Sequence, residues 1–179
     1  MNIPGILSKP NSQQAAKPKS LTYAGIGSRK TPQSILTQMT GIAAQLQTLG
    51  YTLHSGGADG ADSAFEAGVS NNAKKIFLPW RGFNGNNSSL FTIPQIAFTI
   101  AEKFHPAWHK CSQGAKKLHA RNCQQILGPE CATPVDFVIC WHNGTGGTTQ
   151  ACRIAAALQI PIINLIDASA IDTLKKLTA

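Results

Sequence analysis
The chain has 179 residues, with 16 Lys+Arg against 8 Asp+Glu and a formal net charge of +8. Hydrophobic residues make up 42% and charged ones 13%, which supplies an ordinary core and excludes general disorder, since disorder needs low hydrophobicity with high charge. No run approaches the roughly 18 consecutive apolar residues of a membrane span, and the basic balance points to an anionic partner such as phosphate, nucleotide or nucleic acid.

Residues 1–20 carry Lys9, Lys17 and Lys19 and no acid. They show no period and no apolar stripe, and read as a flexible basic tail ahead of one domain over 21–179. The alternative is a basic arm that touches nucleic acid. The tail is a poor signal peptide, because no apolar stretch of about 7–15 residues follows its charged start. Residues 21–26 form a short apolar run ending in Gly25-Ile26-Gly27-Ser28, a buried strand entering a tight loop. Thr31 then reads as a helix cap with Pro32 at the first helical position. Ile35, Met39, Ile42, Ala43 and Leu46 keep helical spacing until Gly50. A second strand is expected over 51–54, a helix over 59–70 and a third strand over 74–78, closed by Pro79-Trp80.

Residues 81–95 are rich in Gly and Asn and lack any period. They read as a long loop, which in a compact domain is usually functional or mobile. Helices follow over 96–104 and 114–127, a fourth strand over 135–140, a helix over 148–158, a fifth strand over 160–165 and a last helix over 171–177. The strands are near-continuous apolar runs, the pattern of strands covered on both faces. Strands alternating with helices predict an α/β fold, a Rossmann-like doubly wound and mostly parallel sheet. Ligands of such sheets bind beyond the carboxyl ends of the strands, near the switch in strand order. The unusual loops 27–31, 55–60, 79–95 and 141–148 all follow strands and gather on that edge.

Two of these loops have the composition of anion sites. Ser55, Gly56, Gly57, Ala58, Asp59 and Gly60 join a strand to a helix; glycines allow close backbone approach, and a helix start offers N–H groups and a positive dipole end. Gly144-Thr145-Gly146-Gly147-Thr148 repeats the device after the fourth strand. Thr148 or Thr149 either caps the helix or bonds a phosphate oxygen. Neither loop is a Walker A or a strict G-x-G-x-x-G motif. Ser28, Arg29 and Lys30 lie on the same edge, as phosphate ligands or as solvated surface groups.

Arg121 and Asn122 fall in a helix with Lys116, Lys117 and His119. A charged solvent face is the default reading; the alternative is that Arg121 reaches a phosphate with bidentate geometry. Trp80 and Trp141 each end a strand, where a ring stacks a base or simply packs a loop. Asp59, Asp62 and Glu66 open the second helix as dipole partners, ribose ligands or catalytic acids. The five histidines form no H-E-x-x-H pair; His105 and His109 are four apart, but Pro106 lies between them. Cys111, Cys123, Cys131, Cys140 and Cys152 are odd in number without a C-x-x-C, so free thiols in a reducing cytoplasm are expected. Cys140 and Cys152 read as core residues. No metal and no cofactor is expected.

The ordered set Gly27-Ser28-Arg29, Ser55-Gly56-Gly57-Ala58-Asp59-Gly60-Ala61-Asp62, Ala120-Arg121-Asn122, Cys140-Trp141, Gly146-Gly147-Thr148 and Ile160-Pro161-Ile162-Ile163-Asn164-Leu165 resembles the SLOG superfamily of Rossmann-like domains. Within it the set is most similar to the DprA (Smf) DNA-processing domain, in a compact, often phage-encoded form. The resemblance covers about residues 20–166. It implies a nucleotide-phosphate pocket at Gly27, Gly57 and Gly147, DNA-binding of single strands on a basic face, and pairing of subunits through helices beside the sheet. A third branch, the cytokinin-activating phosphoribohydrolases, carries G-G-x-G-T-x-x-E. Here Ala151 stands where that branch has its catalytic Glu, which argues against its hydrolytic route. The leading expectation is therefore binding of a nucleotide or nucleotide-derived signal. Single-stranded DNA binding is the alternative and N-glycosidic hydrolysis the third reading.

Overall fold
The computed structural model describes residues 20–144 and 146–179; the tail reading for residues 1–19 and the role of Thr145 lie outside them. The chain runs β1 (Thr22–Gly27), α1 (Gln33–Thr48), β2 (Thr52–Ser55), α2 (Ala61–Ala67), β3 (Lys74–Ile76), α3 (Gln95–Phe104), α4 (Gln113–Leu127), β4 (Phe137–Trp141), α5 (Gly147–Ala157), β5 (Ile162–Asn164) and α6 (Ala170–Thr178). The five strands form one parallel sheet in the order β3-β2-β1-β4-β5. This is the Rossmann-like architecture expected from the apolar runs. The order reverses between β1 and β4, where Gly27 pairs in register with Trp141.

Alternation along each strand feeds two cores. Tyr23, Leu53, Phe137, Ile139 and Ile163 face α1, α2 and α6. Ala24, Ile26, Val138 and Cys140 face α3, α4 and α5. Covering both faces is why β1 and β4 read as near-continuous apolar runs; β3, at the sheet edge, is Lys74-Lys75-Ile76. Tyr23 and Phe137 stack with centroids 6.0 Å apart, and Tyr51 tilts against Phe137 at 5.3 Å. Cys140 and Cys152 are buried, as their apolar settings suggest. Among the described residues, no helix is long and apolar enough to cross a membrane.

The differences from expectation are local and have physical causes. Thr31 does not cap α1; Pro32 occupies that position, and the Thr31 hydroxyl donates to the Ser28 carbonyl at 2.7 Å. The second helix is shorter than 59–70. Gly60, at φ 82°, precedes it and Gly68 ends it. A Cβ at Gly60 would lie 2.8 Å from the Ser28 carbonyl oxygen, so only glycine fits where this loop crosses β1's exit. Residues 81–95 are pinned rather than free. The Leu78 N–H donates to Leu90 at 2.8 Å, Ser88 Oγ donates to Ile76 at 2.6 Å, and Asn86 Nδ2 donates to Glu66 at 3.0 Å.

Candidate functional site
A cleft of about 700 Å³ opens at the switch in strand order. Its rim comes from three places: Gly27, Ser28, Arg29 and Lys30 after β1, the start of α5 at Gly146, Gly147 and Thr148, and the α4 face bearing Leu118, His119, Arg121 and Asn122. β1 and β4 diverge there because their connections leave on opposite faces, which is how a doubly wound sheet makes a crevice. Arg29 and Lys30 are exposed. Ser28 is held by its N–H to the Trp141 carbonyl at 3.1 Å, and its Oγ accepts the Lys30 N–H at 3.0 Å.

The α5 side has the form of an anion site. Gly146, at φ 82°, turns the chain into an eleven-residue helix whose axis starts in the cleft. The first N–H groups of a helix have no intrahelical acceptor and stand at the positive end of its dipole. Asn122 Nδ2 reaches the Gly147 carbonyl at 3.4 Å and Gln150 Oε1 at 3.3 Å, tying α4 to this turn.

The other glycine-rich loop departs from its expected role. Ser55, Gly56 and Gly57 are buried, and Ser55 Oγ donates to the Gly25 carbonyl at 2.7 Å. The Asp62 carboxylate accepts the Ala58 N–H at 3.4 Å, and the N–H groups of Gly27 and Gly56 also favour its ionised form. Asp62 thus takes the place a phosphate was expected to fill. Asp59 is exposed, accepts Asn84 Nδ2 at 2.9 Å, and lines a separate groove with Gly60, Ser63 and Gln33. From this loop, Ala58 and Asp62 line the cleft.

Arg121 corrects the solvent-face reading. It is only 4% exposed. Its Nη1 donates to the Gly56 carbonyl and, at 3.4 Å, to Phe77; it stands 3.7 Å from Asp62 Oδ2. The guanidinium also lies 5.7 Å from the Phe83 ring centroid. It occupies the space a side chain at Gly56 would need. Arg121 therefore holds the 55–62 loop and forms cleft floor.

The aromatic expectation shifts as well. Trp80 is exposed and packs edge-on against Phe83 at 5.2 Å, while Trp141 packs against the α1–α2 core. Neither belongs to the cleft lining; Phe83 does. Glu66 pairs with Lys74 at 3.2 Å, outside the cleft. Ala151 lies on the cleft wall. One further group was missed. His105, Cys111 and His119 converge on the α4 side, with ligand atoms within 4.8 Å of one another. No regular spacing marks them, because the α3–α4 turn rather than a helix period brings them together.

Burial pushes the Asp62 carboxyl up to about 6, against the pull of Arg121 and the loop N–H groups. Its unfolded value is 3.8, so between the two values the folded chain keeps a proton that the unfolded chain releases. This contribution is fully favourable below the unfolded value and is lost as pH rises through about 6, a change of about 3 kcal/mol. His54, which burial lowers to about 4, has the opposite slope. The check is therefore a difference. Urea unfolding is expected to show wild type losing about 3 kcal/mol relative to Asp62→Asn between about pH 4 and about pH 7. A pH-independent difference contradicts this reading.

No family model matches the chain, and no curated protein matches it. Among solved structures, it is similar to DNA processing protein A from Helicobacter pylori, whose structure was described for its unique single-stranded DNA binding mode. The TM-score is 0.53 at 21% sequence identity, over 89% of this chain and 74% of that one. The likeness is one of fold, and this chain has the DprA-like Rossmann-like α/β architecture.

Proposed function
We propose that the chain binds a phosphate-bearing nucleotide in the cleft between β1 and β4. The observation that carries this reading is the convergence of the α5 N-terminus with Ser28, Arg29 and Lys30 on one rim. The phosphate sits at Gly146, Gly147 and Thr148 and takes N–H groups that lack helical partners. Arg29 and Lys30 supply the charge, because Arg121 is already engaged with Gly56 and Asp62. The sugar and base extend toward Asn122 and Phe83, and Phe83 offers the ring for stacking. Asp62 is the acid among the described residues of the lining, and its oxygens face Arg121 and the loop amides. That arrangement supports binding rather than glycosidic hydrolysis.

A second reading is favoured by the H. pylori neighbour: the nucleotide belongs to a single strand of DNA that crosses the same rim. The two readings differ in salt dependence. Neutralising several strand phosphates gives a log–log slope of about −0.7 per phosphate, and a pocket for one nucleotide does not. A thermal-shift panel separates them, with mono-, di- and cyclic nucleotides beside short single-stranded oligonucleotides at low and high salt. The pocket reading expects one small nucleotide to stabilise the chain at both salts, by about 2.7 kcal/mol when present at 100 times its Kd. Stabilisation by oligonucleotides alone, lost at high salt, replaces it with strand binding. No shift with any phosphate compound overturns both.

A further inference from the structure
His105 closes the C-terminal end of α3, Cys111 ends the short Trp108–Lys110 turn and precedes the α4 cap Ser112, and His119 lies inside α4. All three are half-buried. Cys111 Sγ is 3.8 Å from each ring nitrogen of His105, and the His105 and His119 ring centroids are 4.3 Å apart. Ligands held at about 2.0–2.3 Å around a tetrahedral zinc stand about 3.3–3.8 Å from one another. The Cys111–His105 separations already match that spacing, and all three ligand atoms lie within 4.8 Å of one another.

The surroundings of His119 prepare it as a ligand. Gln150, 2% exposed, directs its Nε2 at the Ala101 carbonyl at 3.5 Å, and its Oε1 receives Asn122 Nδ2 at 3.3 Å. The Gln150 oxygen is thereby the atom that faces His119 Nδ1, at 3.2 Å. Nδ1 carries the proton and Nε2 keeps the lone pair, which is the outer-shell arrangement found behind metal-bound imidazoles. At His105, the Ala107 N–H points at Nδ1 from 3.2 Å and is the contact a metal on that nitrogen would displace.

We infer that His105, Cys111 and His119 form a site for one zinc-class divalent cation, with a fourth position left for water or ligand. A thiolate with two imidazoles selects zinc and its neighbours over magnesium or calcium. Binding deprotonates Cys111 and releases that proton to solvent. His119 also belongs to the cleft wall, so the ion adds positive charge beside the phosphate rim. The site does not depend on the nucleotide reading and is tested with metal alone.

The test is a cobalt(II) titration of the full chain after chelator treatment, followed by displacement with zinc. The expected result is a thiolate-to-cobalt charge-transfer band that saturates at one equivalent, with visible bands of tetrahedral intensity. Cys111→Ser is expected to abolish the charge-transfer band. His119→Ala is expected to weaken binding by more than about tenfold, the least that even an outer-shell loss costs. Cys140 and Cys152, with thiols 3.8 Å apart, gather with His142 into a second group. Cys152→Ser is therefore the control and is expected to leave the band intact. Absence of the band overturns the site, as does a band that survives Cys111→Ser. Cys111→Ser is close to isosteric at a half-buried position, so its result stands even where His119→Ala fails to fold.

Discussion

Replacing Arg121 by Ala is expected to destabilise the chain by about 3–5 kcal/mol, the usual cost of removing one partner of a buried pair. For a chain of this size that is a fall in Tm of about 6–20 °C. Three losses combine. The Gly56 carbonyl loses its side-chain donor, and Phe77 loses a weaker one. Asp62 keeps its burial without its cation. A cavity opens between α4 and the 55–62 loop, under Phe83. A residue on a solvated face would cost within about 0.5 kcal/mol, so urea unfolding of this one variant decides between the clamp and the surface reading. The double variant with Asp62→Asn is expected to cost less than the sum of the two single changes, since residues in contact couple by about 0.5–3 kcal/mol.

Gly147→Asp is expected to weaken nucleotide binding by about 10- to 100-fold while leaving the fold intact. Two unit charges about 5 Å apart, at an effective dielectric of about 20, repel by about 3 kcal/mol, and salt reduces this at the half-open rim. The side chain has room, because the nearest atoms to an added Cβ are Asn122 Nδ2 at 3.4 Å and His119 Cε1 at 4.0 Å. An acid in the first turn also favours α5 by about 0.3–1 kcal/mol. Stability and affinity therefore move in opposite directions. Titration calorimetry beside thermal unfolding checks both. A variant that binds as wild type does removes the α5 N-terminus from the site.

The fold was legible because β1 and β4 advertise their two covered faces and the longer helices their stripes. Tyr23 and Ala24 are both apolar because one meets α2 and the other meets the α3–α5 layer. Arg121 was not legible. Beside Lys116, Lys117 and His119 it looks like one more surface charge, and only the tertiary position of Asp62 turns it inward. The 55–60 loop has the glycines of a phosphate cradle, yet the Asp62 carboxylate just inside α2 accepts its Ala58 N–H and faces that of Gly56. Composition cannot distinguish a cradle for a ligand from one for the chain's own side chain. Trp141 ends β4 as read, whereas β3 stops at Ile76 and leaves Trp80 in the bend beyond it; the ring in the cleft is Phe83, delivered by the 81–95 segment returning beside Phe77. His105 and His119 meet across the α3–α4 turn, a relation that no helical period encodes.

Amide chemical-shift mapping with a nucleoside monophosphate locates the phosphate on this cleft without any substitution. The largest shifts are expected on Gly146, Gly147, Thr148, Ser28 and Arg29, with the buried Gly56 and Gly57 little changed. Shifts centred instead on the groove beside β3, lined by Lys74, Lys75 and Ser88, would contradict this placement.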